Sequence, residues 1–159
     1  PVSQPDARRR WPVISLVGGK WTTFRGFAEE VSDLVLARLD RQRGVSTRNL
    51  PIGGGRDFPD DPPAWARGRA TGAAGAARLL CLLDRYGTRA ETVARAEAGT
   101  PFIDSAAAWS AGEIAWIARN EQVRHLSDII LRRTSLALTG KLTAALLRRI
   151  ADIAGDELG

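Results

Sequence analysis

Gly18-Gly19-Lys20-Trp21-Thr22-Thr23-Phe24-Arg25 ends a short apolar run, Pro12 to Val17, and opens a long amphipathic pattern. The β-branched content of the run reads as a strand, and the residues after it read as a glycine turn into a helix start. Such a junction sets free backbone N–H groups and the positive end of a helix beside space that only glycines leave open. Proteins hold anionic groups against the main chain in this way. Lys20 stands in the turn rather than on a solvated helix face. It is either an exposed lysine on a tight turn or a cation that meets a cofactor or a phosphate.

Beyond the turn the chain reads as helix and loop. Phe27, Ala28, Val31, Leu34, Val35 and Leu39 recur at helical spacing, with Thr22 or Thr23 available as a cap, and predict a helix to about Arg41. Gly44 to Pro59 is a loop around Leu50-Pro51-Ile52-Gly53-Gly54-Gly55. That triplet lacks the Lys-Ser/Thr of a phosphate-binding loop and reads as a plain turn. Asp60-Asp61-Pro62-Pro63 opens a short helix with an acidic cap and an early proline, and a second run from Thr71 ends at Tyr86-Gly87. Thr88-x-x-Glu91 and Ser110-x-x-Glu113 fit the capping box and predict two more starts. Leu126 to Leu138 and Lys141 to Leu158 supply the last two helical patterns.

The fold class is therefore mainly α, an irregular bundle of six or seven helices preceded by one strand. Residues 1–10, with two prolines and Arg8-Arg9-Arg10, read as a loose arm. No other run offers the strand a partner, so its backbone groups point to a sheet built by a larger parent. The division expected is 1–23, arm plus strand and turn, and 24–159, the helical domain.

Composition excludes several functions. With 44% hydrophobic and 26% charged residues, the chain has the makeup of a globular protein that buries a core. Cys81 and His125 are each the single residue of their type, and zinc ligation or a catalytic Cys–His arrangement would need more than these two. Carboxylates occur singly or in caps, which leaves no catalytic and no metal-binding residue readable within the chain. Arg8-Arg9-Arg10 and the apolar residues after them are too short for an export signal, and no run approaches the roughly 20 apolar residues of a membrane span. The net charge of +5 rests on arginines, Lys20 and Lys141 being the two lysines. The arginines are interleaved with acids, the pattern of solvated helix faces, and no nucleic-acid-binding motif occurs. An autonomous helical module that binds nucleic acid or protein is the alternative reading.

Residues 18–25 closely resemble the Gly-Gly-Lys-(Trp or Leu)-Thr-Thr-(Tyr or Phe)-Arg segment near the carboxyl end of the FAD domain in FAD-dependent glycerol-3-phosphate dehydrogenases. Leu50-Pro51-Ile52-Gly53-Gly54 and Asp84-Arg85-Tyr86-Gly87 are similar to two further stretches of that family. Glu121 through Thr134 is similar to the Glu-x-x-x-x-Leu-x-Asp-x-Leu-x-Arg-Arg-Thr pattern of its helical carboxyl-terminal domain. The resemblance implies that the strand belongs to the FAD-domain sheet of a parent enzyme. That parent would oxidise glycerol 3-phosphate to dihydroxyacetone phosphate, passing electrons to FAD and then to quinone, or to oxygen in a sister activity. It implies an FAD edge formed by Gly18, Gly19, Lys20, Trp21, Thr22 and Thr23, with Lys20 also reaching substrate. The partners implied are the upstream FAD and substrate domain, glycerol 3-phosphate, quinone and, in some assemblies, a second copy; nucleic acid is not expected. The location implied is cytoplasmic, with the parent peripheral on the cytoplasmic membrane. No Gly-x-Gly-x-x-Gly follows a strand, so the diphosphate site is expected upstream and the isolated chain is expected to be inactive. The absence of an EF-hand loop before Gly159 points to a bacterial parent. For Asp128, Arg132 and Arg133 the expected role is pairing within and between helices.

Overall fold

The computed structural model describes residues 2–4, 12–104, 108–140 and 142–159. The expectations placed on Arg8-Arg9-Arg10 and on Lys141 as a helix start lie outside the described residues. The chain falls into two compact units, Pro1–Pro51 and Ile52–Gly159. It is mainly helical, as the apolar spacing predicts.

In the first unit the strand is not an orphan. β1 (Val2–Gln4) pairs antiparallel with β2 (Val13–Ser15), in the register Val2↔Ser15, Ser3↔Ile14 and Gln4↔Val13. Extended backbone needs hydrogen-bond partners, and here they come from residues 2–4, inside the segment read as a loose arm. A 3-10 turn, Trp21–Thr23, then leads into α1 (Phe24–Arg38). α1 stops short of the expected Arg41 because Asp40 turns left-handed at φ 53°. Asp40 N–H then donates to the Ala37 carbonyl at 3.3 Å and Arg41 N–H to the Leu36 carbonyl at 2.9 Å, the paired bonds of a Schellman ending. Arg43 returns to α1 through Asp33 at 2.9 Å and Glu29. α1 contains no buried residue. The two compact units divide after Pro51, so α1 lies in the same unit as β1 and β2.

The second unit contains the core. α2 (Pro62–Arg69) starts as predicted, with the Asp61 carboxylate accepting from Ala64 N–H at 2.9 Å and Pro62 in the first helical position. α3 (Gly72–Tyr86) ends at Gly87, whose φ 59° and ψ −144° only glycine adopts readily. A 3-10 turn leads to α4 (Ala90–Ala96). The Thr88–Glu91 capping box does not form. Thr88 instead donates to the carbonyls of Gly54 (3.1 Å) and Arg56 (2.9 Å), while Glu91 pairs with Arg69 at 3.0 Å. Next comes an unpredicted hairpin, β3 (Phe102–Asp104) against β4 (Trp109–Ser110). Its strands are too short to show alternation, so they carry no sequence signal.

α5 (Ala111–Asn120) is capped by Ser110, whose hydroxyl accepts from Glu113 N–H at 2.9 Å. The predicted helix from Leu126 to Leu138 is only one α turn, α6 (Leu126–Asp128), that widens into a π turn at Ile129–Arg133. α7 (Ala144–Leu158) comes last, with Thr143 as its cap. Leu82, Leu83, Val93, Ile114, Ile117, Ile129, Leu136 and Ile150 are fully buried and join α3, α4, α5, the π turn and α7 in one core.

The glycine triplet is more than a plain turn. Thr88 N–H donates to the Gly54 carbonyl at 2.9 Å, and a Cβ on Gly54 would lie 2.0 Å from the Tyr86 carbonyl oxygen. Two stretches distant in sequence therefore meet backbone to backbone, and only glycine at 54 and 87 permits it. Gly87→Ala combines the strained dihedral with that collision and is expected to lower unfolding free energy by at least ~2 kcal/mol. Urea denaturation followed by circular dichroism measures it.

Candidate functional site

At the predicted turn, Lys20 has extended backbone, φ −125° and ψ 124°, and leads into the 3-10 turn. Thr23 lies at the amino end of α1 but does not cap it with its side chain; its hydroxyl donates backward to the Lys20 carbonyl at 2.9 Å. The amino end of α1 is thus left without a side-chain acceptor. Trp21 is 88% exposed and stacks on Phe24, with ring centroids 6.1 Å apart. A concavity of about 370 Å³ lies here, walled by Leu16, Gly18, Gly19, Lys20, Trp21 and Phe27 among others. A Cβ at Gly18 would come no closer than 3.8 Å to Phe27, and one at Gly19 would meet nothing within 4 Å. Nothing among the described residues demands glycine at either position. The open surface over them is the space a flat ligand would need. The Lys20 ammonium has no hydrogen bond or ion pair with another described side chain, and Lys20 and Thr22 are both exposed.

The second constellation was not visible in the sequence. Glu113, read as the far half of a capping box, turns its fully buried carboxylate inward from α5. It accepts from Arg78 Nη2 at 2.7 Å, from Arg85 Nη1 at 2.9 Å and from the Tyr86 hydroxyl at 2.8 Å. Arg78 also donates to both oxygens of Glu97, at 2.7 and 2.5 Å. Ser110 Oγ donates to Glu97 at 2.6 Å. Both arginines reach the Ala108 carbonyl, and Arg85 lies 3.7 Å from the centroid of the Trp109 ring. Burial works against the charge of Arg78, yet its hydrogen bonds to Glu97 and Glu113 and their charges hold its pKa above the ordinary arginine value. Burial first, and the Glu113 carboxylate next, push the Tyr86 hydroxyl well above the usual tyrosine range. With its acids and bases fully engaged, this cluster is built to hold the fold rather than to exchange protons. The signal missed was two arginines seven residues apart on a helix that otherwise presents leucines to the core.

Of the remaining sequence-derived residues, Asp128 accepts from the backbone N–H groups of Arg124 (3.0 Å) and His125 (2.9 Å) and from Arg132. Those backbone hydrogen bonds, with Arg132 beside them, hold its pKa below the usual carboxylate value. Arg133 faces Glu121 at 3.5 Å. Pairing is thus what Asp128, Arg132 and Arg133 do here. Cys81 is a half-buried free thiol, and no group of metal-ligating side chains occurs among the described residues. No described helix is long and apolar enough to cross a membrane.

The chain thus offers one ionic cluster closed within its helical unit and one open glycine-lysine turn in its first unit. Residues 45–159 match the family described as the C-terminal domain of alpha-glycerophosphate oxidase, and the chain belongs to that family. It is 35% identical to glycerol-3-phosphate dehydrogenase 1 of Mycobacterium tuberculosis, over 79% of this chain and 23% of that protein. It is 30% identical to a probable mitochondrial glycerol-3-phosphate dehydrogenase of Dictyostelium discoideum, over 79% of this chain and 20% of that one. A mitochondrial glycerol-3-phosphate dehydrogenase of Arabidopsis thaliana is 27% identical over 91% of the chain and 26% of its own length. The chain thus spans about a fifth to a quarter of the length of these relatives. No solved structure matches it significantly.

Removing the shared carboxylate leaves two guanidiniums facing each other without their common acceptor. Glu113→Ala should cost about 3–5 kcal/mol of stability. Tyr86→Phe, which removes one donor from a carboxylate that keeps two others, should cost about 1–2 kcal/mol. Denaturant midpoints of the two variants give the comparison; equal losses would contradict a cluster centred on Glu113.

Proposed function

We propose that this chain is the carboxyl-terminal part of an FAD-dependent glycerol-3-phosphate dehydrogenase, whose reaction yields dihydroxyacetone phosphate and delivers electrons to quinone. The relatives' names support the reaction class, and the open surface over Gly18 and Gly19 beside the unpartnered Lys20 supports the placement of the cofactor edge. FAD, when bound, supplies the hydride acceptor. Gly18 and Gly19 would let its flat edge approach the main chain, while Trp21, Thr22 and Thr23 complete the wall. The Lys20 ammonium and the uncapped amino end of α1 would favour negative charge on the flavin or on the substrate phosphate. The matched family carries the name of an oxidase, which favours oxygen as acceptor in a second reading.

The proposed partner of the first unit is the upstream FAD and substrate domain. Leu16, Val17, Trp21, Phe24, Leu34, Val35 and Leu39 are all exposed in the described chain, more apolar surface than such a short segment ordinarily leaves to water. A cytoplasmic parent, peripheral on the membrane and able to form a homodimer, accords with this reading. The alternative of a nucleic-acid- or protein-binding module gains no support from the relatives.

Helix-end and lysine terms near an exposed anion are worth about 0.3–1 kcal/mol each. Micromolar affinity needs about 8 kcal/mol. The 159-residue chain is therefore expected to produce no saturable flavin fluorescence quenching at micromolar concentration; saturable quenching would mean that the cofactor contacts are misplaced. In the full-length parent, Lys20→Ala is expected to lower turnover at least ~10-fold, as the loss of an electrostatic stabiliser does. Unchanged turnover would remove Lys20 from the site.

A further inference from the structure

We propose that the cleft between residues 121–125 and the π turn is a binding site for a phosphate group. The cleft measures about 300 Å³ and is lined by Gln122, Arg124, His125, Asp128, Arg132 and Arg133. Its charges do not cancel. Asp128 is buried, and its oxygens already take two backbone N–H groups and Arg132. Glu121 approaches Arg133 only at 3.5 Å, longer than a charged N–H···O bond. Arg124 is exposed and has no side-chain partner among the described residues. Two of the three guanidiniums are thus paired with carboxylates, and Arg124, beside the His125 imidazole, is the cation of the cleft left without one among the described residues.

Guanidinium groups match tetrahedral oxyanions in shape as well as in charge, and several converging on one polar cleft favour phosphate over a single carboxylate. Gln122, at φ 53° in the left-handed region, lines the cleft together with Arg124 and His125. The folding role of the motif explains Asp128 and Arg132 but leaves Arg124 without one. The phosphate can arrive on a soluble ester or on a phospholipid headgroup. Leu131 and Leu138, 61% and 83% exposed in and just after the π turn, are the reason to test a lipid surface.

The test is calorimetric titration of the 159-residue chain with inorganic phosphate, run beside sedimentation with phosphatidylglycerol-containing vesicles and with pure phosphatidylcholine vesicles. Saturable phosphate binding without vesicle retention supports the site and assigns it to a soluble ester. Retention by the anionic vesicles that inorganic phosphate competes away supports it and assigns it to a headgroup. Arg124→Gln should weaken whichever binding is seen about tenfold, as loss of one charge-assisted contact does, and Arg124→Lys should restore part of it. Arg148→Gln removes the same charge from an exposed position of α7 and should leave binding unchanged. An equal loss in Arg148→Gln would mean diffuse attraction to a basic protein and would overturn the proposal. No saturable heat and no anionic-vesicle retention would overturn it too, as would retention that phosphate fails to compete. Circular dichroism of each variant confirms that the fold is kept.

Discussion

The carboxylate of Glu113 has no access to water, and a buried charge survives folding only if every acceptor position finds a donor. Three side chains of one helix, α3, meet that demand. Arg78 and Arg85 come from the middle and end of α3 and Tyr86 is its last residue, while Glu97, at the carboxyl cap of α4, accepts from Arg78 and supplies the second negative charge. The cluster therefore holds two positive and two negative groups and is neutral as a whole. α3, α4, the hairpin and α5 can reach this arrangement in only one register, since the arginines also bond the Ala108 carbonyl between the strands. Apolar packing of Leu82, Leu83, Val93 and Ile114 supplies the bulk of the burial, but packing alone tolerates sliding. The ionic cluster does not.

The consequence reaches the loop before α2. Tyr86 is fixed by its hydroxyl on Glu113 and by its edge-on contact with Trp116, ring centroids 5.3 Å apart. The next residue, Gly87, makes its turn directly after that anchored ring. Its backbone meets Gly54, and Thr88 closes the junction through two carbonyls. A fully paired ionic cluster thus sets the path of a loop distant in sequence, through one aromatic ring and two glycines.

Much of this was legible in the sequence wherever the decisive force was local. The cap at Asp61, the stop at Gly87 and the Ser110 cap depend on a few neighbouring residues, and the sequence places them correctly. Failures occurred where tertiary demands overrode local ones. Thr88 satisfies distant carbonyls rather than the end of α4, and Glu113 satisfies arginines rather than its own N-cap. The helical spacing from Leu126 onward is real, yet the backbone widens to a π turn; Thr134 Oγ1, bonded to the Ile129 carbonyl at 2.8 Å, closes that segment. At the glycine-lysine turn the structure shows only the open surface over Gly18 and Gly19, and the chemistry read there belongs to the proposed function.

The two units solve opposite problems. The second pairs its buried polar groups and closes a core of leucines and isoleucines within itself, so its stability depends on internal contacts. The first pairs its strands, caps the end of α1 with Asp40 and binds Arg43 back through acids, satisfying the backbone while leaving its apolar side chains uncovered. Hydrogen bonds and surface ion pairs give such a segment shape, but exposed pairs are each worth no more than about 1 kcal/mol. Shape without burial is what an interface needs before its partner arrives: the backbone is organised, the entropy of ordering is already spent, and the apolar area remains to be buried on docking. On the proposed function, Gly18, Gly19 and Lys20 sit at the head of such a surface. On that reading their chemistry is expressed only in a longer protein, where the same apolar side chains that now face water become the walls that keep water from the site.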